Sequence, residues 1–121
     1  MSCSVGTVLV RTSPPYAHVL ATGELDIATT PVLSAQLSEA VAAGCRSFRI
    51  DLAGVTFCDA STVGVLVSLD RRVRAAGGSM RIVAASARVH RILHLLDLDR
   101  LVRTATVVDD ESLAHRSSSV G

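Results

Sequence analysis

Between Tyr16 and Leu96 the chain three times places a short run of alternating apolar residues ahead of a longer run whose apolar residues fall at three- and four-residue steps. This strand-then-helix order constrains the fold more than any other feature, because a helical crossover brings the next strand back parallel to the one before it. In the first unit Ala17, Val19 and Ala21 alternate with His18, Leu20 and Thr22. Thr30 followed by Pro31 then reads as a helix start, with the hydroxyl as cap and the proline where no backbone hydrogen bond is lost. That helix is expected to run to about Ala43, with Leu33, Leu37, Ala40 and Val41 as its buried stripe and Gly44 as a left-handed stop.

The second unit alternates Phe48, Ile50 and Leu52 with Arg49 and Asp51, turns, and starts a helix near Asp59. Leu66, Leu69, Val73 and Ala76 share one face of that helix, which Gly77 and Gly78 end. The third unit pairs a strand from Met80 to Val83 with a helix capped by Ser86, whose stripe is Val89, Ile92, Leu93 and Leu96. A last strand is expected within Leu101 to Val108 and a helical turn within Asp109 to Ala114. Ahead of these units, Thr7 to Arg11 is β-rich and is separated from Tyr16 by Thr12, Ser13, Pro14 and Pro15, which predicts an opening hairpin.

The fold class is therefore α/β: a mixed four- to five-stranded sheet opened by a hairpin, with parallel crossovers and three to four helices covering it. At 121 residues the chain suits one core, so residues 1–121 are read as a single domain with residues 1–5 and 116–121 frayed. Loops that follow parallel strands open at one end of the sheet, which predicts that Asp26, Asp51 and Asp59 gather there.

Several functions are disfavoured by composition. The twelve basic residues are all arginine and face eleven acidic ones, for a net charge of +1 and no general grip on phosphates. Tyr16, Phe48 and Phe57 are too few to build a platform for stacked bases, so no direct nucleic-acid contact is expected. No apolar run reaches the length of a membrane span, and the expected location is the cytoplasm, without a membrane partner. Cys3, Cys45 and Cys58 lack metal-type spacing and are expected to be reduced; a Cys45–Cys58 bridge, which would make a redox switch, is left open. Neither a nucleophile elbow nor a phosphate-cradling glycine loop is present, so no enzyme and no cofactor are expected. His90 and His94 share a helix face but lack a third ligand, and Asp26 and Asp59 stand where turns and helices start, so no metal site is expected. Arg71, Arg72 and Arg74 read as a solvated helix face.

The informative segment is Ile50 to Leu66, IDLAGVTFCDASTVGVL. With Asp59 as N-cap, its carboxylate accepts amide hydrogens and complements the positive helix end, while Ala60, Ser61 and Thr62 fill the first turn. In this segment, in GELD at Gly23 to Asp26, in the Gly77–Gly78 pair and in HRILHLLDLDRLV at His90 to Val102, the chain resembles the STAS domain family, especially the bacterial anti-sigma factor antagonists. The resemblance spans nearly the whole chain. It implies a protein that binds an anti-sigma factor of the serine-kinase type and so promotes sigma-dependent transcription, or, alternatively, a STAS regulatory subunit of a transporter or stress-signalling complex.

In the antagonists this helix starts Asp-Ser-Ser-Gly or Asp-Ser-Thr-Gly, and phosphorylation of the first serine by the kinase ends the complex. Asp59 matches the aspartate, but the acceptor position falls on Ala60 and Thr62 replaces the glycine. Ser61 and Thr62 are then the remaining candidate phosphoacceptors, and a module without an efficient switch is the favoured reading, since neighbouring helical residues point about 100° apart. The resemblance places the partner surface on Asp26, Asp59, Ala60, Ser61 and Thr62.

Overall fold

A computed structural model describes residues 6–102 and the backbone of 106–108. Strands β1 (Thr7–Ser13) and β2 (Tyr16–Leu25) form the expected antiparallel hairpin, in the register Leu9↔Leu20 and Arg11↔His18. Helix α1 (Thr30–Ala42) leads to β3 (Ser47–Cys58), helix α2 (Ala60–Ala75) to β4 (Ser79–Ser86), and helix α3 (Ala87–Leu95) through a 3-10 turn (Asp99–Val102) to β5 (Thr106–Val108). The sheet order is β1-β2-β3-β4-β5, and every pair after the hairpin is parallel. The last strand is thus three residues long, and the first part of its expected span, Leu101 and Val102, is a 3-10 turn with both side chains buried. The expected helical turn at Asp109 to Ala114 and the frayed ends lie outside the described residues.

Because each crossover steps one strand further in the same direction, crossovers of one hand leave every helix on one face of the sheet. Burial follows that rule. Ala17, Val19, Ala21, Phe48, Ile50, Leu52, Met80 and Ile82 point into one core with Leu33, Leu37, Leu66, Leu69, Val73, Val89 and Leu93 from the helices. The alternate residues Tyr16, His18, Leu20, Arg49 and Arg81 are exposed. Among the described residues, the expectation that helices cover the sheet therefore holds for one face only, and the alternation of polar and apolar residues in the strands is the reason.

Two boundaries shift for local reasons. The residue ahead of α1 is Thr29 rather than Thr30, and the expected hydroxyl cap does not form: the Thr29 and Thr30 hydroxyls both donate to the Asp26 carbonyl, at 2.9 and 2.8 Å, instead of accepting from helix amides. Strand β3 continues to Cys58 where a turn is expected after Leu52, since register shifts at Leu20/Thr22 and Gly23/Glu24 of β2 keep the two strands paired as far as Leu25↔Cys58. Gly54 permits that close approach: a Cβ there would lie 2.9 Å from Cγ2 of Thr22. Of the expected helix stripes, Ala76 and Leu96 are exposed, as helix-capping residues beyond the last packed turn, and Val41 is half-buried.

Polar anchors fix the frame. Asp70, buried within α2, binds Arg74 Nε at 2.9 Å and lies 3.9 Å from Arg100 Nη2, tying α2 to the 3-10 turn. Arg72 donates to Ser38 Oγ at 3.2 Å, so the expected solvated face of arginines also staples α2 to α1. Ser86 caps α3 as expected, accepting from the Val89 amide at 3.3 Å while donating to the Val55 carbonyl at 2.8 Å. Ser86→Ala removes both bonds and is expected to lower stability by about 1 kcal/mol, measured as a lower urea midpoint with an unchanged slope.

Candidate functional site: the start of the central helix

The pairing of β2 with β3 ends at one level, so Asp26 and Asp59 emerge side by side at the carboxyl end of the sheet, where the Asp59 amide donates to the Leu25 carbonyl at 3.2 Å. Asp51 does not join them. It lies seven residues before Cys58 in β3, roughly 23 Å along the strand, with its Oδ1 accepting from the Ala53 amide at 2.9 Å. The expected trio is a pair, because the strand that carries Asp51 runs on where a turn is expected.

Each aspartate organises its own turn. Asp26 Oδ1 accepts from the Ala28 amide at 2.9 Å and the Thr29 amide at 3.3 Å, and its carbonyl receives both threonine hydroxyls. Asp59 is extended (φ −100°, ψ −178°), the usual geometry of an N-cap. Its Oδ1 accepts from the Ser61 and Thr62 amides at 3.1 and 3.2 Å, from Ser61 Oγ at 2.6 Å, and more weakly from Thr62 Oγ1 at 3.4 Å. The Ser61 hydroxyl chiefly, and then the two amides, hold the Asp59 carboxyl below its ordinary value against a partial desolvation that pushes the other way.

The two candidate acceptors are both engaged. Ser61 Oγ sits between Asp59 and the Thr30 hydroxyl, 3.0 Å away at the start of α1. Thr62 is buried, and its hydroxyl donates to the Leu25 carbonyl at 3.2 Å. Ala60 is exposed and presents only a methyl group. The first turn of α2 is thus bonded to the ends of β2 and α1 through Ser61 and Thr62, and only Ala60 faces solvent freely.

Beside it runs a groove that the sequence did not disclose. Ser34 and Leu37 of α1 and Ser61, Gly64, Val65 and Arg72 of α2 line about 240 Å³ of space between the helices. Gly64 leaves this groove open, since a Cβ built there would meet nothing within 4 Å. A glycine three residues after Ser61, inside a helix that it weakens, is the signal in the sequence that points here.

The other chemical groups do not assemble into a site. Cys45 and Cys58 are free and buried near opposite ends of β3, so no bridge links them. Burial first, then the Asp59 carboxylate, pushes the Cys58 thiol up to about 11. Cys58 is accordingly expected to resist iodoacetamide at pH 8 in the folded protein and to react on unfolding, as read by mass spectrometry. His94 pairs with Asp99 at 3.1 Å in solvent, and His90 lies half-buried with Nε2 unbonded. Among the described residues no group of three His, Cys, Asp or Glu side chains is placed to hold a metal, and no helix is long and apolar enough to cross a membrane.

A mixed sheet opened by a hairpin and layered with helices on one face, with a self-capped helix start at its carboxyl end, makes up an α/β domain. Two solved structures share it: the anti-sigma factor antagonist SpoIIAA in its unphosphorylated form, 18% identical over 95% of this chain and 99% of the other with a TM-score of 0.74, and an anti-sigma factor antagonist from Mycobacterium paratuberculosis, 24% identical over 92% and 93% with a TM-score of 0.70. In sequence, the chain is 30% identical over 107 residues to the anti-sigma F factor antagonist of Paenibacillus polymyxa, covering 88% of this chain and 81% of that one. The family model described as "Mlab, STAS domain" matches residues 8–103, and the chain belongs to the STAS domain family.

Proposed function

We propose that this protein is a cytoplasmic anti-sigma factor antagonist that binds an anti-sigma factor of the serine-kinase type and works without an efficient phosphorylation switch. The kinship with the Paenibacillus polymyxa antagonist supports the general role. The observation that carries the finer reading is the state of the α2 start: the position of the family acceptor is the bare methyl of Ala60, and the hydroxyls on either side of the next peptide are spent inside the fold.

Phosphate on Ser61 would break its 2.6 Å bond to Asp59 and set a second anion against that carboxylate. Phosphate on Thr62 would require the side chain to leave the core. In this reading Asp26, Asp59, Ala60, Ser61 and Thr62 form the polar part of the docking surface. The groove past Gly64 continues that surface, with Ser34, Ser68 and Arg72 beside Leu37, Val65 and Leu69.

The test mixes the purified protein with the serine-kinase-type anti-sigma factors of its own host, with and without ATP. A complex of unchanged affinity in both conditions, with no phosphate on the chain, is expected. Gly64→Gln, whose Cβ would meet nothing within 4 Å, is expected to weaken that complex at least tenfold while leaving the unfolding midpoint near that of the parent. Failure of every such anti-sigma factor to bind, together with co-purification of a transporter ATPase, would replace this reading with that of a STAS regulatory subunit; phosphate recovered on Ser61 would remove the switchless part alone.

A further inference from the structure

The face of the sheet that the described helices leave open carries an ordered line of three arginines and one histidine. Arg11 pairs with His18 across β1 and β2, His18 with Arg49 across β2 and β3, and Arg49 with Arg81 across β3 and β4. All four residues are exposed and lie on the face opposite the core. At about 4.8 Å between strands, the line crosses the sheet over roughly 14 Å.

Like charges set directly opposite one another oppose sheet formation, as Arg49 and Arg81 are, and no ion pair among the described residues engages either of them. The ion pairs there are Asp70–Arg74, Asp70–Arg100 and His94–Asp99, none of which involves this line. Asp51, two residues past Arg49 on the same face, accepts from the Ala53 amide and forms no ion pair with the line, so it leaves the arginines in excess there. In a protein whose net charge is only +1, such a line is a local feature rather than a general basic surface.

We infer that this face is a second docking surface, separate from the start of α2, and that its partner is an acidic amphipathic helix lying across the strands. Carboxylates at i, i+4, i+7 and i+11 recur about every 5–6 Å along one stripe of a helix, close to the ~4.8 Å spacing of the four basic residues. Two residues further along the strands runs a parallel row of Leu9 and Leu20, 51% and 39% exposed, which meets Asp51 on β3. The rows are about 6.7 Å apart, within the ~10 Å width of a helix, so one helix covers both, its acidic stripe on the arginines and its apolar edge on the leucines. A bilayer is a poorer match, because it would meet a single line of charge on a twisted surface rather than a broad basic patch.

The probe is a fluorescein-labelled, Ala-rich helical peptide of about four turns with Glu at i, i+4, i+7 and i+11 and Leu beside alternate Glu residues. Anisotropy with the full chain is expected to show binding that weakens as salt is raised. Replacing every Glu of the peptide by Gln, or combining Arg49→Gln with Arg81→Gln in the protein, is expected to reduce affinity at least tenfold. Asp59→Ala is expected to leave this affinity unchanged even where it disrupts the α2 surface, which keeps the two surfaces distinguishable. The double Arg variant is also expected to unfold at a slightly higher urea concentration, so loss of binding is not loss of fold.

Equal binding of the Glu and Gln peptides, or undiminished binding by the double variant, overturns the inference. So does preferential binding of phosphatidylserine vesicles or of an oligo-dT strand, which would make the partner a bilayer or a nucleic acid. Peptide binding that emerges only when Asp109, Asp110 and Glu111 are changed to Asn, Asn and Gln would show that the chain's own acidic segment occupies the face, and overturns it too.

Discussion

Ala60→Ser is expected to convert this protein into one that a serine-kinase anti-sigma factor phosphorylates and then releases. Position 60 is the first residue of α2, is exposed, and follows an N-cap whose carboxylate is already committed to Ser61 and Thr62. A hydroxyl there would be free of the internal bonds that hold its two neighbours. Phosphate on it would add ~1.5 to 2 negative charges next to Asp59, at the surface assigned to docking.

Shifting a complex from 99:1 bound to 1:99 takes about 5.5 kcal/mol of preference, and a dianion beside a carboxylate in a contact that excludes water is of the kind that supplies it. The expected readout is one phosphate per chain by mass spectrometry for the variant and none for the parent, with affinity for the anti-sigma factor falling at least a hundredfold on ATP addition. An Ala60→Ser protein that stays unmodified, beside a parent that is modified at Ser61, would show that the acceptor has moved along the helix instead of being lost.

Asp59→Ala is expected to cost about 1–2 kcal/mol of stability, at the upper part of the range for N-caps, because one carboxylate oxygen serves two amides and the Ser61 hydroxyl. The loss should depend on pH in a defined direction. In the folded protein the Asp59 carboxyl lies below its ordinary value of 3.8, so the ionised form is the one that folding favours. Its contribution is complete above that ordinary value and fades as pH falls from there through the lower folded value. Urea midpoints of the parent and Asp59→Ala should therefore differ most at pH 6 to 7 and draw together as pH falls below 3.8 through the lower folded value. A gap that stays constant across this range would mean that the cap acts through packing alone. The anti-sigma factor complex should weaken as well, since the variant loosens the turn that presents Ala60.

Much of the architecture was legible because it rests on periodicity. Alternation in Tyr16–Gly23 and Phe48–Leu52, and the three- and four-residue steps of Leu66, Leu69 and Val73, each state which side of an element must leave water. Gly44 and Gly77 end their helices in the left-handed region, at φ 102° and 83°, as residues without a Cβ are suited to do. The caps Asp59 and Ser86 were readable for a similar reason: short acceptor side chains ahead of an apolar helical pattern have few better partners than the free amides.

What resisted reading was whatever depended on a neighbour distant in sequence. The length of β3 follows from the bulges of β2 beside it, and Asp51 was misplaced with it. The burial of Asp70 depends on Arg74 and Arg100, one of which comes from the turn after α3. Thr62 is spent on Leu25 and Ser61 on Thr30, contacts 37 and 31 residues apart along the chain.

The sequence by itself determined the order of elements, the capping of α2 by Asp59 and the substitution of a methyl group at the family acceptor position, because these are properties of residue type and local spacing. Only the tertiary structure decided that Ser61 and Thr62 are tied down, that the helices crowd one face of the sheet, and that Arg11, His18, Arg49 and Arg81 stand in line on the other. Strand register, which is set by packing across the whole sheet, brings those residues together, and no local pattern encodes it.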